Sequence, residues 1–156
     1  MTDADALRDA LSELVQVNSR LVQAIRRIAR ENGSVDSLAS WRTLGVLQRR
    51  GPLRVGALAD ASQVAQPTMT KLVAGLVERG WVERVADADD ARASKIDISA
   101  AGVTALAEWR AGLASVLLPY FADISEGDLD ALRRTVTLLD THIAGLEPAE
   151  PQEVAS

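Results

Sequence analysis

The sequence contains no cysteine and only one histidine, His142, among its 156 residues. Disulfides, thiolate metal sites and thiol redox chemistry are therefore excluded, and one histidine leaves little for a zinc site or a catalytic triad. No nucleophile–base pair, phosphate-binding loop or cluster of metal ligands stands out along the chain. These absences argue against an enzyme, and we expect neither a cofactor nor a bound metal.

Long apolar runs and aromatic side chains are scarce as well. The chain has no run of about 18 apolar residues and no leader-like start, so we expect a cytoplasmic protein without a membrane segment. Aromatic residues make up 3% of the sequence, whereas apolar residues as a whole make up 47%. This composition favours a folded, mainly helical chain whose helices pack through small aliphatic side chains.

Basic residues are outnumbered, since 17 of them face 22 acidic residues and the formal net charge is −5. The segment 42–95 nevertheless holds nine basic and six acidic residues, whereas the remainder holds eight basic and sixteen acidic ones. The middle of the chain is thus locally basic and both ends are acidic. This distribution fits a DNA-binding module carried on an acidic scaffold.

Residues 5–30 predict one long amphipathic helix. Its apolar positions keep a 4-3 spacing over three heptads, interrupted by one polar residue, Asn18. A helix of this length cannot bury such a stripe on itself, and a lone Asn on the stripe is typical of residues that fix the register between two chains. The pattern predicts dimerisation; an amphipathic helix packed within one subunit is the alternative. The stripe comprises Leu7, Leu11, Leu14, Asn18, Leu21, Ile25 and Ile28.

Three short helical patterns and a hairpin pattern follow. The helical stretches are LASWRTLGVLQRR, VGALADAS and QPTMTKLVAGLVERG. In the last of them Pro67 falls in the first turn, where no amide hydrogen is needed, and Gly80 ends the helix. WVERV (81–85) and SKIDIS (94–99) alternate and are separated by a polar segment, which predicts a β-hairpin with a long tip. Together these elements predict a winged helix-turn-helix.

Two further helical stripes follow the hairpin. Pro119 is expected to interrupt the helix between them, and Ser125 with Asp128 predicts a capping box at the start of the last helix. The predicted fold class is mainly α with a small β-hairpin wing. The predicted parts are an N-terminal dimerisation helix (1–36), a winged helix-turn-helix DNA-binding domain (37–99), C-terminal dimerisation helices (100–145) and a disordered tail (146–156).

The second helix of a helix-turn-helix enters the major groove, and its first turns contact base edges. Its buried face is predicted to hold Met69, Leu72 and Val73. Among the exposed residue types, Gln can read adenine, Thr can touch a thymine methyl, and Lys can bond guanine or a phosphate. The alternative is a solvated polar face, the default on any surface helix. The predicted contacts on this helix are Gln66, Pro67, Thr68, Thr70 and Lys71.

Arg92 falls at the tip of the predicted hairpin, within the acidic stretch ADADDARASKIDI. A long wing reaches the neighbouring minor groove, whose negative potential over A·T-rich sequence attracts an inserted arginine. We expect Asp90 to hold the Arg92 guanidinium or to pair with Arg84. Asp87 and Asp89 are expected to lie off the DNA, because acids facing the phosphates would repel them. The predicted wing contacts are Arg84, Asp90, Arg92 and Lys95.

The stretch from GPLRVGALADASQVAQPTMTKLVAGLVERGWVERV through DADDARASKIDISAAG resembles the multiple-antibiotic-resistance regulator (MarR) family of bacterial transcription factors. Its most specific parts are the core from Leu72 to Arg84, the Asp90-x-Arg92 pair, and the hairpin exit Ile98-Ser99-x-x-Gly102. The resemblance implies a homodimer that binds a palindromic operator in double-stranded DNA and usually represses nearby genes. In many members a small, often aromatic ligand binds between the dimerisation helices and the winged helix and releases the DNA.

By that resemblance Arg92 corresponds to the wing-tip arginine, and the exposed residues from Gln66 to Lys71 fall on the base-reading and phosphate-contacting turns. One departure is Ala65, which stands where the family typically has a capping Ser or Thr. Loss of the hydroxyl is expected to cost about 1 kcal/mol locally and to weaken DNA binding. A winged-helix module that has lost specific DNA binding and binds a protein partner is the alternative function.

The resemblance also implies candidates for a small-molecule effector site. Trp41 and Trp109 lie on helices that would flank the family's usual pocket, and Arg20 and Arg42 would offer positive charge to a carboxylate or phenolate. The alternative for both tryptophans is a place in the core, since a Trp buries a large apolar area.

Overall fold

The computed structural model describes residues 3–31, 38–87, 90 and 93–144, apart from the side chains of residues 29 and 30. The predicted wing-tip Arg92 and the predicted tail, 146–156, lie outside these residues. The chain divides into two compact units, Met1–Val116 and Leu117–Ser156. The elements are α1 (Asp3–Glu31), α2 (Leu38–Arg50), α3 (Val55–Ala61), α4 (Gln66–Glu78), β1 (Val82–Ala86), β2 (Ser94–Ile98), α5 (Ala100–Leu117), a 3-10 turn (Leu118–Phe121) and α6 (Glu126–Ile143).

The hydrophobic core of the first unit lies between α2, α3, α4, the hairpin and α5. Leucines dominate it, as the aliphatic composition predicts, and Trp41 joins it from α2. The wing contributes Val82 and Ile96, of which Ile96 is fully buried, so both strands of the hairpin are anchored in the core. The largest fully buried side chains are Leu44, Leu47, Leu58, Met69, Leu76, Ile96 and Leu106.

α3 and α4 form the helix-turn-helix, and the four residues between them, 62–65, make the turn. The turn is closed by the Val64 N–H, which donates to the Ala59 carbonyl at 2.9 Å. Gln63 adopts a φ of 54°, in the left-handed region that glycine prefers. At the far end of α4, Gly80 has a φ of 69° and lets the following N–H, that of Trp81, bond the Leu76 carbonyl at 3.0 Å.

β1 and β2 pair antiparallel, with Val82 opposite Ile98 and Ala86 opposite Ser94. The hairpin prediction is confirmed, although β1 begins one residue later than predicted and β2 ends one residue earlier. A second pairing was not predicted, because it involves a single residue outside any alternating run. Leu53, just before α3, exchanges two backbone hydrogen bonds with Ile96, at 3.0 and 2.8 Å.

The hairpin passes into α5 through a tight junction. The Ser99 hydroxyl accepts a bond from the Gly102 N–H at 3.0 Å and donates to the Gly80 carbonyl at 2.5 Å. The Ser99 N–H donates to the Trp81 carbonyl at 3.0 Å. That same carbonyl oxygen would lie only 2.0 Å from a Cβ added at Gly102. Glycine is therefore required at position 102 so that the first turn of α5 can approach the start of the wing.

The second unit holds the 3-10 turn and α6. Pro119 lies in the 3-10 turn and ends the regular α5 helix, as predicted. The predicted capping box is present at the start of α6, where the Asp128 N–H donates to the Ser125 hydroxyl at 3.1 Å and the Ser125 N–H donates to the Asp128 carboxylate at 3.1 Å. In the part of the chain that the structure describes, no helix combines the length and the apolar character needed to span a membrane.

Candidate nucleic-acid interface

α4 presents one apolar and one polar face. Met69, Val73 and Leu76 are buried against the core of the first unit. Every residue predicted to contact DNA on this helix is exposed, whereas Leu72, predicted on the buried face, is only half-buried against the core. The Thr70 hydroxyl donates to the Gln66 carbonyl one turn back, at 3.1 Å, and keeps its lone pairs available as acceptors. The exposed first two turns thus offer amide, hydroxyl and ammonium groups along one side of the helix.

The start of α4 has no side-chain cap. Its N-cap residue is Ala65, in an extended conformation with φ −60° and ψ 138°, and no side-chain hydrogen bond is made there. Pro67 occupies the first turn, where its missing N–H leaves no helical bond unmade. The departure noted in the sequence is therefore a real local feature of the helix, and an oxygen at position 65 would have the Thr68 N–H as its donor, because Pro67 has none.

The described part of the wing carries several charged side chains. Arg84 on β1 is exposed, and its guanidinium donates to the Ser94 hydroxyl across the hairpin at 3.5 Å. Asp90 is exposed, and its backbone carbonyl accepts a bond from the Ala93 N–H at 2.9 Å. Arg92, together with Asp89, lies outside the described residues, so the expected Asp90–Arg92 contact stays a prediction.

Asp87 differs from the other acids of the wing. Its side chain is fully buried, whereas the sequence led us to expect only that it would lie off the DNA. The carboxylate accepts a hydrogen bond from Arg54 Nε at 2.6 Å and lies 3.5 Å from Lys95 Nζ. Lys95, a predicted DNA contact, therefore has an internal partner. No local sequence signal separates Asp87 from its acidic neighbours, because its main partner lies 33 residues earlier.

A cavity of about 280 Å³ lies within the first unit, between α1, α2 and α5. Trp41 and Trp109 line it and stack on each other, with ring centroids 5.1 Å apart and an angle of 11° between the rings. Trp41 also belongs to the core, so the two interpretations of this residue are compatible. Four arginines line the cavity without any acidic residue among the described lining; they are Arg26, Arg42, Arg49 and Arg110.

Two features of this cavity could not be read from the sequence. Arg20 is exposed on α1 and is not among the lining residues, whereas Arg26 is. Arg42 reaches beyond the cavity as well, since its guanidinium donates to the Ser62 carbonyl at 3.3 Å, in the turn that precedes α4.

The indole N–H of Trp41 has no acceptor among the described residues. Nor do those residues contain a group of three or more side chains suited to hold a metal ion.

Residues 37–93, which span α2 through β1 and end just before β2, match the family model described as MarR family. Over 139 residues the chain is 29% identical to an uncharacterized HTH-type transcriptional regulator of Mycobacterium bovis, covering 89% of this chain and 94% of that protein. A related HTH-type transcriptional regulator of Mycobacterium leprae is 28% identical over the same share.

Solved structures share the fold. A MarR family protein from Bacillus stearothermophilus superposes with a TM-score of 0.66 at 20% identity, covering 92% of this chain and 99% of that one. A mutant of S. aureus MepR, bound to an oligodeoxyribonucleotide, superposes with a TM-score of 0.56 at 17% identity, covering 92% and 99%. The resemblance to the MarR family is confirmed over residues 37–93, and the predicted fold class is confirmed by the architecture that the chain shares with these solved structures.

Proposed function

We propose that this MarR family transcriptional regulator, which binds DNA, is a homodimeric repressor that recognises a pseudo-palindromic operator and acts by binding, not by catalysis. The single observation that carries the proposal is the division of α4 into a buried apolar face and an exposed polar face over its first two turns. A helix of this kind, second in a helix-turn-helix, is the element that enters the major groove.

The exposed groups of α4 suit both base reading and phosphate contact. Gln66 carries the amide that pairs with adenine, Thr68 and Thr70 can contact either base edges or a thymine methyl, and Lys71 reaches guanine or a phosphate. Pro67 shapes the first turn that presents them. The S. aureus MepR mutant, which is bound to an oligodeoxyribonucleotide, shares this fold and supports DNA binding by analogy.

The wing supplies the second contact. Arg92 would enter the adjacent minor groove, with Asp90 orienting its guanidinium and Arg84 lying toward the hairpin base. Minor-groove insertion of this kind reads groove width more than individual bases. Each protomer would then contact one major groove through α4 and the neighbouring minor groove through the wing.

Exposed apolar side chains support the homodimer. On α1 the first heptads of the stripe are solvent-exposed in the single chain, with Leu7 at 61%, whereas the last residue of the stripe, Ile28, is buried. α6 in the second unit exposes an apolar stripe of its own, with Val136 at 59%. Faces this apolar are typical of subunit interfaces. Two-fold symmetry then predicts half-sites spaced by about 10 bp, one turn of the double helix.

The cavity supports a small effector. Stacked tryptophans beside four guanidinium groups suit a flat aromatic anion, because the rings offer a stacking surface and the arginines offer charge-assisted hydrogen bonds. Trp41, Trp109 and Arg42 would be the contacting residues, and Arg20 is replaced by Arg26 in this role. Arg42 also bonds the Ser62 carbonyl before α4, so an anion that draws Arg42 toward the cavity would alter the turn that carries the recognition helix.

The proposal is tested by selecting bound fragments from the source organism's genomic DNA with purified protein at near-physiological salt. We expect a few pseudo-palindromic sites, and weakened recovery by the Arg92→Ala variant. On a recovered site, Lys71→Ala should lower the slope of log affinity against log salt by about one unit if Lys71 contacts a phosphate. Arg133→Ala is the matched control, since Arg133 is an exposed arginine of α6 in the second unit.

The outcomes separate the two functions considered from the sequence. Recovery of a common site that depends on Arg92 supports the regulator. If only non-specific, salt-sensitive binding is found, and Arg92→Ala and Lys71→Ala bind as the wild type does, the proposed docking is wrong. A winged-helix module that binds a protein partner would then be the better account.

A further inference from the structure

The buried carboxylate of Asp87 lies where the wing leaves the core. Its side chain has no solvent exposure and follows β1 directly, whereas Glu83 and Arg84 on that strand are exposed. A buried carboxylate is costly unless cations and hydrogen bonds compensate for the lost water. Here the compensation comes from Arg54 Nε at 2.6 Å and Lys95 Nζ at 3.5 Å.

These partners join three separate segments at one point. Asp87 directly follows β1, Lys95 belongs to β2, and Arg54 is the N-cap residue of α3. The same region is also tied by backbone bonds, since Leu53 pairs with Ile96 and the Asp87 N–H reaches the Ala93 carbonyl at 3.4 Å. The wing is thus fixed both across its own strands and to the segment that starts the helix-turn-helix.

We infer that Asp87 is a positioning residue for specific DNA binding, which holds the wing at a set orientation to α3 and α4 and keeps Arg54 and Lys95 paired with its carboxylate. The inference rests on the proposed function, in which α4 and the wing dock into adjacent grooves. Both contacts can form on one half-site only if the wing root is fixed relative to the recognition helix. Two cations paired with an internal carboxylate also attract phosphates less strongly than unpaired ones.

A positioning role of Asp87 and a purely electrostatic effect of its charge predict opposite changes in operator affinity when Asp87 is replaced. Asp87→Asn removes one negative charge and releases two cations beside the DNA-binding elements. Simple electrostatics would make the variant bind every duplex more tightly. A positioning role predicts that operator affinity falls by about tenfold or more while affinity for an unrelated duplex is unchanged or rises. The salt slope for the unrelated duplex should steepen by up to about two units, because Arg54 and Lys95 can then reach phosphates.

The experiment measures affinity for a selected operator and for an unrelated duplex of equal length, over a series of salt concentrations. Wild type is compared with Asp87→Asn and with Glu83→Gln. Glu83 is the matched control, because it is an exposed acid on β1 of the same hairpin. Glu83→Gln should change both affinities by the same small factor. If Asp87→Asn binds the operator as tightly as wild type, or loses both affinities in proportion, the inference is wrong.

A second variant tests the inference if Asp87→Asn does not fold, which circular dichroism would reveal. Arg54→Gln removes the main partner of Asp87. The Arg54 side chain is 42% exposed, so its replacement leaves the core intact. Under the inference it lowers operator affinity more than affinity for the unrelated duplex. Equal losses on the two duplexes would make Arg54 a plain phosphate contact and would overturn the inference.

Amide hydrogen exchange tests the positioning without DNA. The N–H groups of Asp87 and Ile96, which hold the wing to itself and to residue 53, should exchange faster in Asp87→Asn than in Glu83→Gln. Equal exchange rates would contradict the role.

Wild type, Arg92→Ala and Lys71→Ala are measured on the same duplexes. If wild type shows no operator preference, the proposed function fails and the inference with it; if Lys71→Ala and Arg92→Ala weaken binding but Asp87→Asn does not, only the inference fails.

Discussion

Replacing Gly102 by alanine should destabilise the protein although alanine is the better helix former. Gly102 is the third residue of α5, where the exchange alone would gain about 1 kcal/mol. The added Cβ would, however, lie 2.0 Å from the Trp81 carbonyl oxygen and 2.9 Å from Ile98 Cγ1. The nearest atom belongs to the backbone and cannot rotate away. Either the first turn of α5 or the start of the wing must therefore shift.

Overpacking of this kind costs typically about 1–3 kcal/mol, and a backbone contact belongs at the upper end of that range. After the gain in helix propensity is subtracted, the free energy of unfolding of Gly102→Ala should fall by about 2 kcal/mol. For a chain of this size that lowers the melting temperature by about 4–8 °C. Thermal and urea denaturation, at one fixed protein concentration because the protein is expected to dimerise, would measure both quantities.

Gly112→Ala is the matched control, since Gly112 lies in the same helix and, apart from that helix's own neighbouring turns, a Cβ there would meet no atom of the described residues within 4 Å. Only the propensity term remains, so this variant should be about 1 kcal/mol more stable than wild type. The two substitutions are chemically identical and should differ in sign. If Gly102→Ala melted at or above the wild-type temperature, the close approach of α5 to Trp81 would not be a constraint, and the reasoning would be refuted.

Three other changes have predictable effects. Ala65→Ser should raise the free energy of unfolding by about 1 kcal/mol, because an extended N-cap without a side-chain oxygen gains an acceptor for the Thr68 N–H; a variant that melts at the wild-type temperature would count against capping. Gln63→Gly should stabilise the fold by up to about 1 kcal/mol, because Gln63 has a φ of 54°, which strains every residue with a Cβ but not glycine. Gln63→Ala keeps that strain and should not stabilise the fold; equal stabilities of the Ala and Gly variants would refute the argument. Hydrogen bonds from the Ser125 hydroxyl and backbone hold the pKa of Asp128 below its usual value. A carboxylate whose pKa is lower in the folded state stabilises the fold at pH values above its unfolded pKa of about 3.9, and this stabilisation is lost as the pH falls through the folded pKa. Asp128→Asn should therefore be less stable than wild type at neutral pH and should approach it in acid. A stability difference that does not change with pH would exclude the carboxylate as the cause.

The helices and the hairpin could be predicted from the sequence because their signals are local. Pro67 and Gly80 mark the limits of α4, Pro119 interrupts α5, and Ser125 begins α6, each through a backbone property of the residue itself. Alternation over five residues was enough to identify both strands. The strand ends were displaced by one residue because pairing across the hairpin, and not the alternation, decides where a ladder stops.

The remaining features depend on contacts between distant segments. The Leu53–Ile96 bridge joins positions 43 residues apart and leaves no periodic pattern. On α1 the cavity is lined by Val22, Ile25 and Arg26, whose spacing puts them on one side of the helix, whereas Arg20 lies about 200° away from Val22 at about 100° per residue. Choosing between two arginines on the same helix therefore requires knowing which side faces α2 and α5. The heptad stripe predicts a buried side but not what covers it.

A net charge of −5 does not conflict with DNA binding once the position of each charge is considered. At physiological salt, exposed charges act over about 8 Å, so affinity for DNA depends on the groups near the grooves and not on the total. In the wing the buried carboxylate of Asp87 is compensated by Arg54 and Lys95, and the Asp97 carboxylate accepts the Ile98 N–H at 2.8 Å. Acids in such places shape the wing instead of repelling phosphates. The salt slope of binding should therefore follow the number of cations on α4 and the wing, and neutralising acids of α6, such as Asp140, should leave that slope unchanged.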